Sequence, residues 1–298
     1  MDREALLQRI ESDERLDAAA GALSPLARAV QGRGARRDLL SGTWLGHPAH
    51  PSLVLAPLGF FFSASTLDLL GGRASRRAAR RLLGLGIVTA VPAAAAGLND
   101  WADTGGAERR VGLVHASANT AALLLYGASW RQRGRGRHGR GVAMALAGTT
   151  LSGLAGYLGG HLSYRRGVGV DTTTFSSGPS DWRPLGPVDR FPIDEPAPAV
   201  VDDVPLLVVR TATGAQVLEA RCTHRGGPLN EGEVADGCVT CPWHGSVFDL
   251  STGAVERGPA SAPAPRYDTR ISAGVLEVRR EEPGVLRRLS LAAGEPAG

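Results

Sequence analysis

The chain has 298 residues, with 33 basic residues (all of them arginine), 29 acidic residues and a formal net charge of +4. That length allows about two domains, and the small, dispersed charge offers no basic face of the kind nucleic-acid binding needs. Three cysteines are too few for a disulfide framework.

Residues 1–43 mix acidic residues with arginine, as on a solvated helix. Ala5, Leu6, Ile10 and Leu16 make a weak helical stripe, and Ser24-Pro25 is expected to open a second short helix. No basic stretch leads into a short apolar core and a small-residue cleavage site, so no cleavable signal is expected.

Four uncharged, apolar runs follow, and they predict helical spans over about 51–70, 82–99, 111–130 and 141–164 within a membrane domain at 44–170. A soluble bundle would carry a charged stripe on each helix, and none is present. Gly148, Ser152, Gly156 and Gly160 form a small-residue ridge that lets a neighbouring backbone approach. Arg73, Arg76, Arg77, Arg80 and Arg81 crowd one connection, and Arg131, Arg133, Arg135, Arg137 and Arg140 another. The positive-inside rule makes both cytoplasmic and sends the chain ends outward, although Arg33, Arg36, Arg37, Arg165 and Arg166 pull the other way.

Polar residues inside this region are unevenly placed. His47 and His50 open the first span, Asp100 closes the second, His115 and Asn119 start the third, and His161 ends the fourth. Because successive spans alternate in direction, all six belong to one face of the bilayer, the face from which the chain leaves. Ionisable groups at membrane depth point to function, whereas histidines near headgroup water need no function at all. Neutral imidazoles suit haem iron, and an imidazole beside a carboxylate suits taking a proton from a quinol. A haem site, a quinone site and an inert anchor remain open.

Gly46-His47-Pro48-Ala49-His50-Pro51, Asn99-Asp100 and the ending Gly160-His161-Leu162-Ser163-Tyr164-Arg165-Arg166 resemble an uncharacterised bacterial family of four-helix membrane domains. The resemblance covers about 44–170 and implies a multi-pass protein of the bacterial cell membrane. It brings no activity with it.

Residues 171–180 (DTTTFSSGPS) read as a polar linker. An extended linker of that length, at most ~3.5 Å per residue, can hold the next domain over the histidine face. Beyond it, short β-type runs at 206–210, 215–218, 247–248, 267–271 and 275–278 predict a small antiparallel sandwich over 181–280, with a tail over 281–298.

Two loops of that domain carry the sharpest signal. Cys222-Thr223-His224 and, sixteen residues on, Cys241-Pro242-Trp243-His244 each combine one thiol and one imidazole beside turn formers, Gly226 and Gly227 in one and Pro242 and Gly245 in the other. Four such ligands fit a tetrahedral zinc ion. Structural zinc, however, usually takes its thiolates as one knuckle. One Cys and one His per loop suits a [2Fe–2S] cluster with two Cys on one iron and two His on the other.

CTHRGGPLNEG, CPWHGSVFDLSTG and the trailing Gly258-Pro259 resemble the Rieske ferredoxin family. The resemblance implies that Cys222 and Cys241 hold the inner iron and His224 and His244 the outer, with Pro242, Gly245, Ser246 and Phe248 around them. In quinol-oxidising members each loop adds a cysteine, and the two form a disulfide; here those places hold Gly227 and Trp243. Ser246 keeps a hydroxyl that bonds cluster sulfur in those members, whereas Phe248 replaces a tyrosine that does the same, so the resemblance implies a potential below the quinol-oxidising extreme. The third cysteine, Cys238, reads as a buried structural thiol.

The expected architecture is therefore an all-α four-helix transmembrane bundle followed by an all-β Rieske-type antiparallel sandwich. Its expected role is a membrane-anchored carrier of single electrons between a membrane donor, quinol or haem, and a redox partner protein, with lipid around the bundle and no nucleic-acid partner. An oxygenase would need a further iron site, and no histidine follows His244. An electron-transfer component of an oxygenase system and a redox-sensing anchor are the alternatives.

Overall fold

A computed structural model of the chain describes residues 2–280, which divide into two compact units at Val170/Asp171. The tail expected over 281–298 lies outside the described residues.

The first unit is helical. It contains α1 (Arg3–Ser12), α2 (Arg15–Gln31), α3 (Ala35–Ser41), α4 (Ala49–Leu53), α5 (Leu55–Leu70), α6 (Arg76–Ala102), α7 (Gly106–Gly134) and α8 (His138–Gly160), the last running into a π-helical turn at His161–Arg165. Four of its helical segments, Ala49–Leu70, Arg76–Ala102, Gly106–Gly134 and His138–Arg165, are long and apolar enough to cross a membrane. Leu55, Val88, Val91, Leu124 and Leu154 point outward, exposed. In water that surface would be a liability, and in lipid it is the expected finish. The protein is a multi-pass membrane protein.

Within the bundle α5 packs on α6 and α8, and α7 packs on the same two helices, so α5 faces α7 across a diagonal. Along that diagonal His50 meets His115, with ring centres 6.4 Å apart, and Phe61 stacks on Tyr126 at 3.7 Å and 8°. Further on, both terminal guanidinium nitrogens of Arg133 close on the Asp68 carboxylate, a pair buried on both sides. Each of these three pairs is separated by 65 positions. α6 and α8 correspond just as regularly at an offset of 62: Gly86 lies under the Phe61 ring and Gly148 under Tyr126. Two helical hairpins are thus related by a pseudo-twofold axis, and a residue that meets its own counterpart must sit on that axis. No alternation or motif in the sequence announces this repeat, because Ala, Leu and Gly fill most of both copies.

The N-terminal helices pack on the bundle rather than standing apart. α1 packs against α7, α2 against α6 and α7, and α3 against α6. Arg110 binds Asp17 at 2.6 Å, Arg37 binds Asp103 at 2.8 Å, and Arg165 binds Glu4 at 2.6 Å. The Arg110 guanidinium holds the Asp17 carboxyl below the usual carboxylate range. α2 also runs straight through Pro25, where a new helix was expected. Proline removes only one N–H, and the flanking turns hold, with the Ser24 hydroxyl donating to the Ala20 carbonyl at 2.7 Å.

The second unit is a pair of antiparallel sheets. β1 (Arg183–Pro187), β2 (Pro196–Val201), β3 (Val204–Arg210), β4 (Ala215–Glu219), β9 (Arg266–Ser272) and β10 (Val275–Arg280) form one, in the order β1-β10-β9-β4-β3-β2; β5 (Glu233–Ala235), β6 (Cys238–Thr240), β7 (Val247–Asp249) and β8 (Val255–Arg257) form the other. β1, β2, β5, β6 and β8 lie outside the runs read as strands; the prolines of β2 (PAPAVV) are tolerated because it stands at a sheet edge. One apolar core gathers Leu207, Leu218, Leu229, Val239, Phe248 and Leu250, together with Cys222 and Cys241.

Residues 171–180, read as a linker, belong to this unit. Thr172 donates its hydroxyl to the Cys222 carbonyl at 2.8 Å and its N–H to the Thr223 carbonyl at 3.1 Å, and the Arg280 N–H donates to the Pro179 carbonyl at 2.8 Å. A threonine-rich stretch can satisfy a neighbouring loop in this way, which composition alone does not reveal.

Candidate cluster site and membrane histidines

The two loops that carry the Cys and His pairs are built alike. The first follows β4: Cys222 N–H donates to the Gly227 carbonyl at 2.8 Å, and Gly226 N–H returns to the Cys222 carbonyl at 2.8 Å. The second joins β6 to β7: Cys241 N–H donates to the Ser246 carbonyl at 2.8 Å, and Gly245 N–H returns to the Cys241 carbonyl at 3.0 Å. Both turns reverse through a left-handed glycine four residues after the cysteine, Gly226 at φ 75° and Gly245 at φ 74°. A side chain is strained at that φ, so these two glycines are what the turn requires.

Each turn folds backbone N–H groups onto its own sulfur: those of His224 and Arg225 onto Cys222, those of Trp243 and His244 onto Cys241. Both cysteines are free and buried. The two sulfurs share a hydrogen bond, and one thiolate is favoured over two: Cys241 is brought down by the Cys222 thiol and its own N–H groups, while the same contact and burial push Cys222 up. The imidazoles of His224 and His244 lie side by side, centres 5.1 Å apart at 89°, and are half-buried where the sulfurs are not exposed.

The surrounding residues secure this arrangement. A third loop holds both others: the Ala260 N–H donates to the buried Ser246 hydroxyl at 2.9 Å, and the Thr223 hydroxyl donates to the Ala262 carbonyl at 2.7 Å. Ser246 therefore accepts through its oxygen and retains its own hydrogen to donate. Phe248 is fully buried below, and Pro242 and Trp243 are exposed at the tip. A side chain at Gly227 would come within 2.8 Å of the Cys241 sulfur and 3.1 Å of Trp243, so Gly227 and Trp243 face each other. Cys238 is half-buried rather than fully buried; it pairs across the ladder with Asp249, and its thiol is pushed up by burial and then by Asp249.

These donors suit an iron–sulfur cluster better than one ion. Among the described residues, no three His, Cys, Asp or Glu side chains are grouped to hold a metal ion together. Mononuclear zinc needs three or four, whereas a two-iron cluster asks for two protein ligands per iron.

Comparison with known proteins agrees. Residues 181–268 match the family described as Rieske [2Fe-2S] domain. The anthranilate 1,2-dioxygenase ferredoxin subunit of Burkholderia cepacia is 39% identical over 99 residues, which is 33% of this chain and 92% of that protein. The chain is a Rieske protein. Its N-terminal half matches the family described as Predicted membrane protein (DUF2231) over residues 46–172. This Rieske protein is also 29% identical over 82 residues to Ferredoxin CarAc of Metapseudomonas resinovorans, 28% of this chain and 77% of that one. Of apoptosis-inducing factor 3 from mouse it covers 12%, at 32% identity over 74 residues, or 25% of this chain. Among solved structures, the ferredoxin of carbazole 1,9a-dioxygenase from Nocardioides aromaticivorans IC177 aligns over 34% of this chain and all of its own, at 24% identity and a TM-score of 0.33. The Rieske protein carries a [2Fe–2S] cluster and works in electron transfer with a redox partner protein.

The membrane histidines separate into two groups. His50 and His115 meet on the axis, and the Asn119 amide donates to His115 Nε2 at 3.1 Å. His161 instead engages Glu11 of α1 at 2.7 Å. His47 is exposed, its Nδ1 3.0 Å from the Pro48 carbonyl, and Asp100 accepts from the Asn99 amide at 3.0 Å. Glu11 escaped the sequence reading because nothing in α1 indicates which end of the bundle it covers.

Proposed function

We propose that Cys222 and Cys241 hold the inner iron of the cluster and His224 and His244 the outer, and that the protein carries single electrons between a donor in its membrane half and a partner protein. The observation that carries this is the pair of matching loops: two buried sulfurs, each faced by two N–H groups, with two half-buried imidazoles alongside. Bound there, the cluster supplies a one-electron couple within about −150 to +300 mV. The N–H groups and the Ser246 hydroxyl favour the more negatively charged reduced state, and the apolar core keeps water from the sulfurs.

The donor in this reading is a quinol or a haem at the face where His50, His115 and Asn119 gather, with His47, Asp100 and His161 near that end. Lipid covers the outward apolar helices, and the Arg-rich connections favour an extracytoplasmic Rieske domain. The acceptor is best read as an oxygenase-type protein, because the Burkholderia cepacia relative is a dioxygenase ferredoxin subunit.

Low-temperature electron paramagnetic resonance of the reduced full-length protein tests the ligand set. A low average g value that disappears in Cys222→Ala and Cys241→Ala supports it. Zinc without iron, or a signal that survives both changes, overturns it.

A further inference from the structure

We propose that His50 and His115 are the two axial ligands of one haem, bound on the pseudo-twofold axis of the membrane bundle. This names the donor in the reading above and rests on it.

The two imidazoles are presented in the same way by the two hairpins. His50 Nδ1 donates to the Ala93 carbonyl at 2.8 Å, and His115 Nδ1 donates to the Ala155 carbonyl at 2.8 Å. Each carbonyl belongs to the second helix of its hairpin, and the two stand 62 positions apart. In a helix the side chain four residues on lies back over a carbonyl and hides it. Here those residues are Gly97 and Gly159: a Cβ on Gly97 would meet His50 at 2.9 Å, and one on Gly159 would meet His115 at 3.2 Å. Glycine at each place opens the carbonyl to the ring.

Engaging Nδ1 on a backbone carbonyl fixes the tautomer and leaves Nε2 as the basic nitrogen, the usual support of a metal-bound histidine. Two imidazoles on opposite sides of one metal, each nitrogen about 2 Å from it, place their centres about 6–6.5 Å apart. The separation here is 6.4 Å. A metal ion on a twofold axis meets both histidines equally, and the 6.4 Å between ring centres leaves room for one such ion but not for a quinol ring with its two hydroxyls between the imidazoles.

The number of ligands selects the kind of metal. No third His, Cys, Asp or Glu joins this pair among the described residues, so a bare ion would be left with two protein ligands. A porphyrin brings four nitrogens of its own and asks the protein for two. Its plane would stand between α6 and α8, the other diagonal of the bundle, and against the imidazoles those helices present only Ala93, Gly97, Ala155 and Gly159. The Asn119 amide now on His115 Nε2 also donates to the His115 carbonyl at 3.2 Å, so it keeps one partner when iron takes the nitrogen.

The test uses the full chain, made in membranes with haem synthesis supplied and purified in detergent. Dithionite-reduced minus oxidised spectra should show a low-spin haem at a ratio near one per chain, beside the cluster signal. His50→Ala and His115→Ala should each cut haem content roughly tenfold or more while the cluster signal stays. Added imidazole should restore part of the low-spin spectrum, and Asn119→Ala should keep the haem or raise its content. If the histidine variants do not fold, the unaltered protein titrated with hemin decides alone. Helical protein with its cluster intact that takes up no hemin overturns the proposal. So do haem retained without both histidines, a bare metal beyond the cluster irons, and quinone in place of haem. A missing cluster signal would instead sink the reading of the Rieske half and leave the haem result standing.

Discussion

Each half of the molecule brings two copies of one structure together, on two different scales. In the Rieske half the copies are six-residue turns, Cys222–Gly227 and Cys241–Ser246, matched hydrogen bond for hydrogen bond. In the membrane half they are helical hairpins, and the residues that meet are counterparts 65 positions apart. A turn can be specified by glycine and a few polar atoms within reach, so its repeat is visible as a motif. A hairpin is specified by where small residues let helices approach, and that repeat leaves almost no motif.

Removing a ligand is the strongest way to break the first pair of copies. Cys222→Ala or Cys241→Ala should abolish the cluster entirely, with helical content by circular dichroism largely unchanged because the bundle has its own core. His224→Cys or His244→Cys, where a cluster assembles, should lower the potential, because thiolate adds negative charge at the outer iron. A raised potential would contradict the proposed ligand set.

The second pair of copies breaks at its buried ion pair. Asp68→Leu or Arg133→Met leaves one charge unpartnered and should cost about 3–5 kcal/mol, read as lost thermal stability in detergent. Because the two positions are counterparts, exchanging them (Asp68→Arg with Arg133→Asp) should recover most of that loss. An exchange no better than either single change would refute the twofold description.

Glycine tests sharpen the same comparison at smaller scale. Gly97→Ala should cost about 1–3 kcal/mol by overpacking on His50, and Gly159→Ala less, its contact being 3.2 Å against 2.9 Å. Gly156 has open space around it, so Gly156→Ala should be neutral or stabilise by up to about 1 kcal/mol. Equal effects at all three, measured as melting temperatures, would mean that the imidazoles are not held as described.

The halves also differ in how far the sequence discloses them. The cluster loops, the four spans and half of the strands follow from motif, hydropathy and alternation, because each is a local property. The meeting of His50 with His115 was half legible: alternating spans put both at one face, but the sequence could not separate them from His161, which Glu11 takes. Partners chosen by tertiary packing, such as Thr172 on the Cys222 carbonyl or Gly97 beneath His50, have no local signature.

Potentials examine the cluster surroundings more finely. A hydroxyl that bonds cluster sulfur favours the reduced state by about 1–2 kcal/mol, which is roughly 40–90 mV for one electron. Phe248→Tyr should raise the midpoint and Ser246→Ala lower it by amounts of that order. Unchanged potentials in both would show that neither side chain faces the sulfurs.

The smallest effect separates two ways of burying charge. Asp68 is buried with a full partner in Arg133, whereas Glu219 is 1% exposed and its Oε2 has no hydrogen-bond partner among the described residues. Burial raises the Glu219 pKa above its ordinary 4.5, with Ser176 and then Arg280 and Arg221 opposing. A raised carboxyl binds its proton more tightly folded than unfolded, so its contribution is fully present below the unfolded pKa and is lost as pH rises through the folded one. The full-length protein should therefore lose some stability as pH climbs from about 4.5. Glu219→Gln, which keeps the shape and cannot ionise, should flatten that slope and leave stability on the acid side nearly unchanged. Melting temperatures of the two proteins across that range decide it: parallel curves would mean that Glu219 ionises in the fold as freely as it does in water.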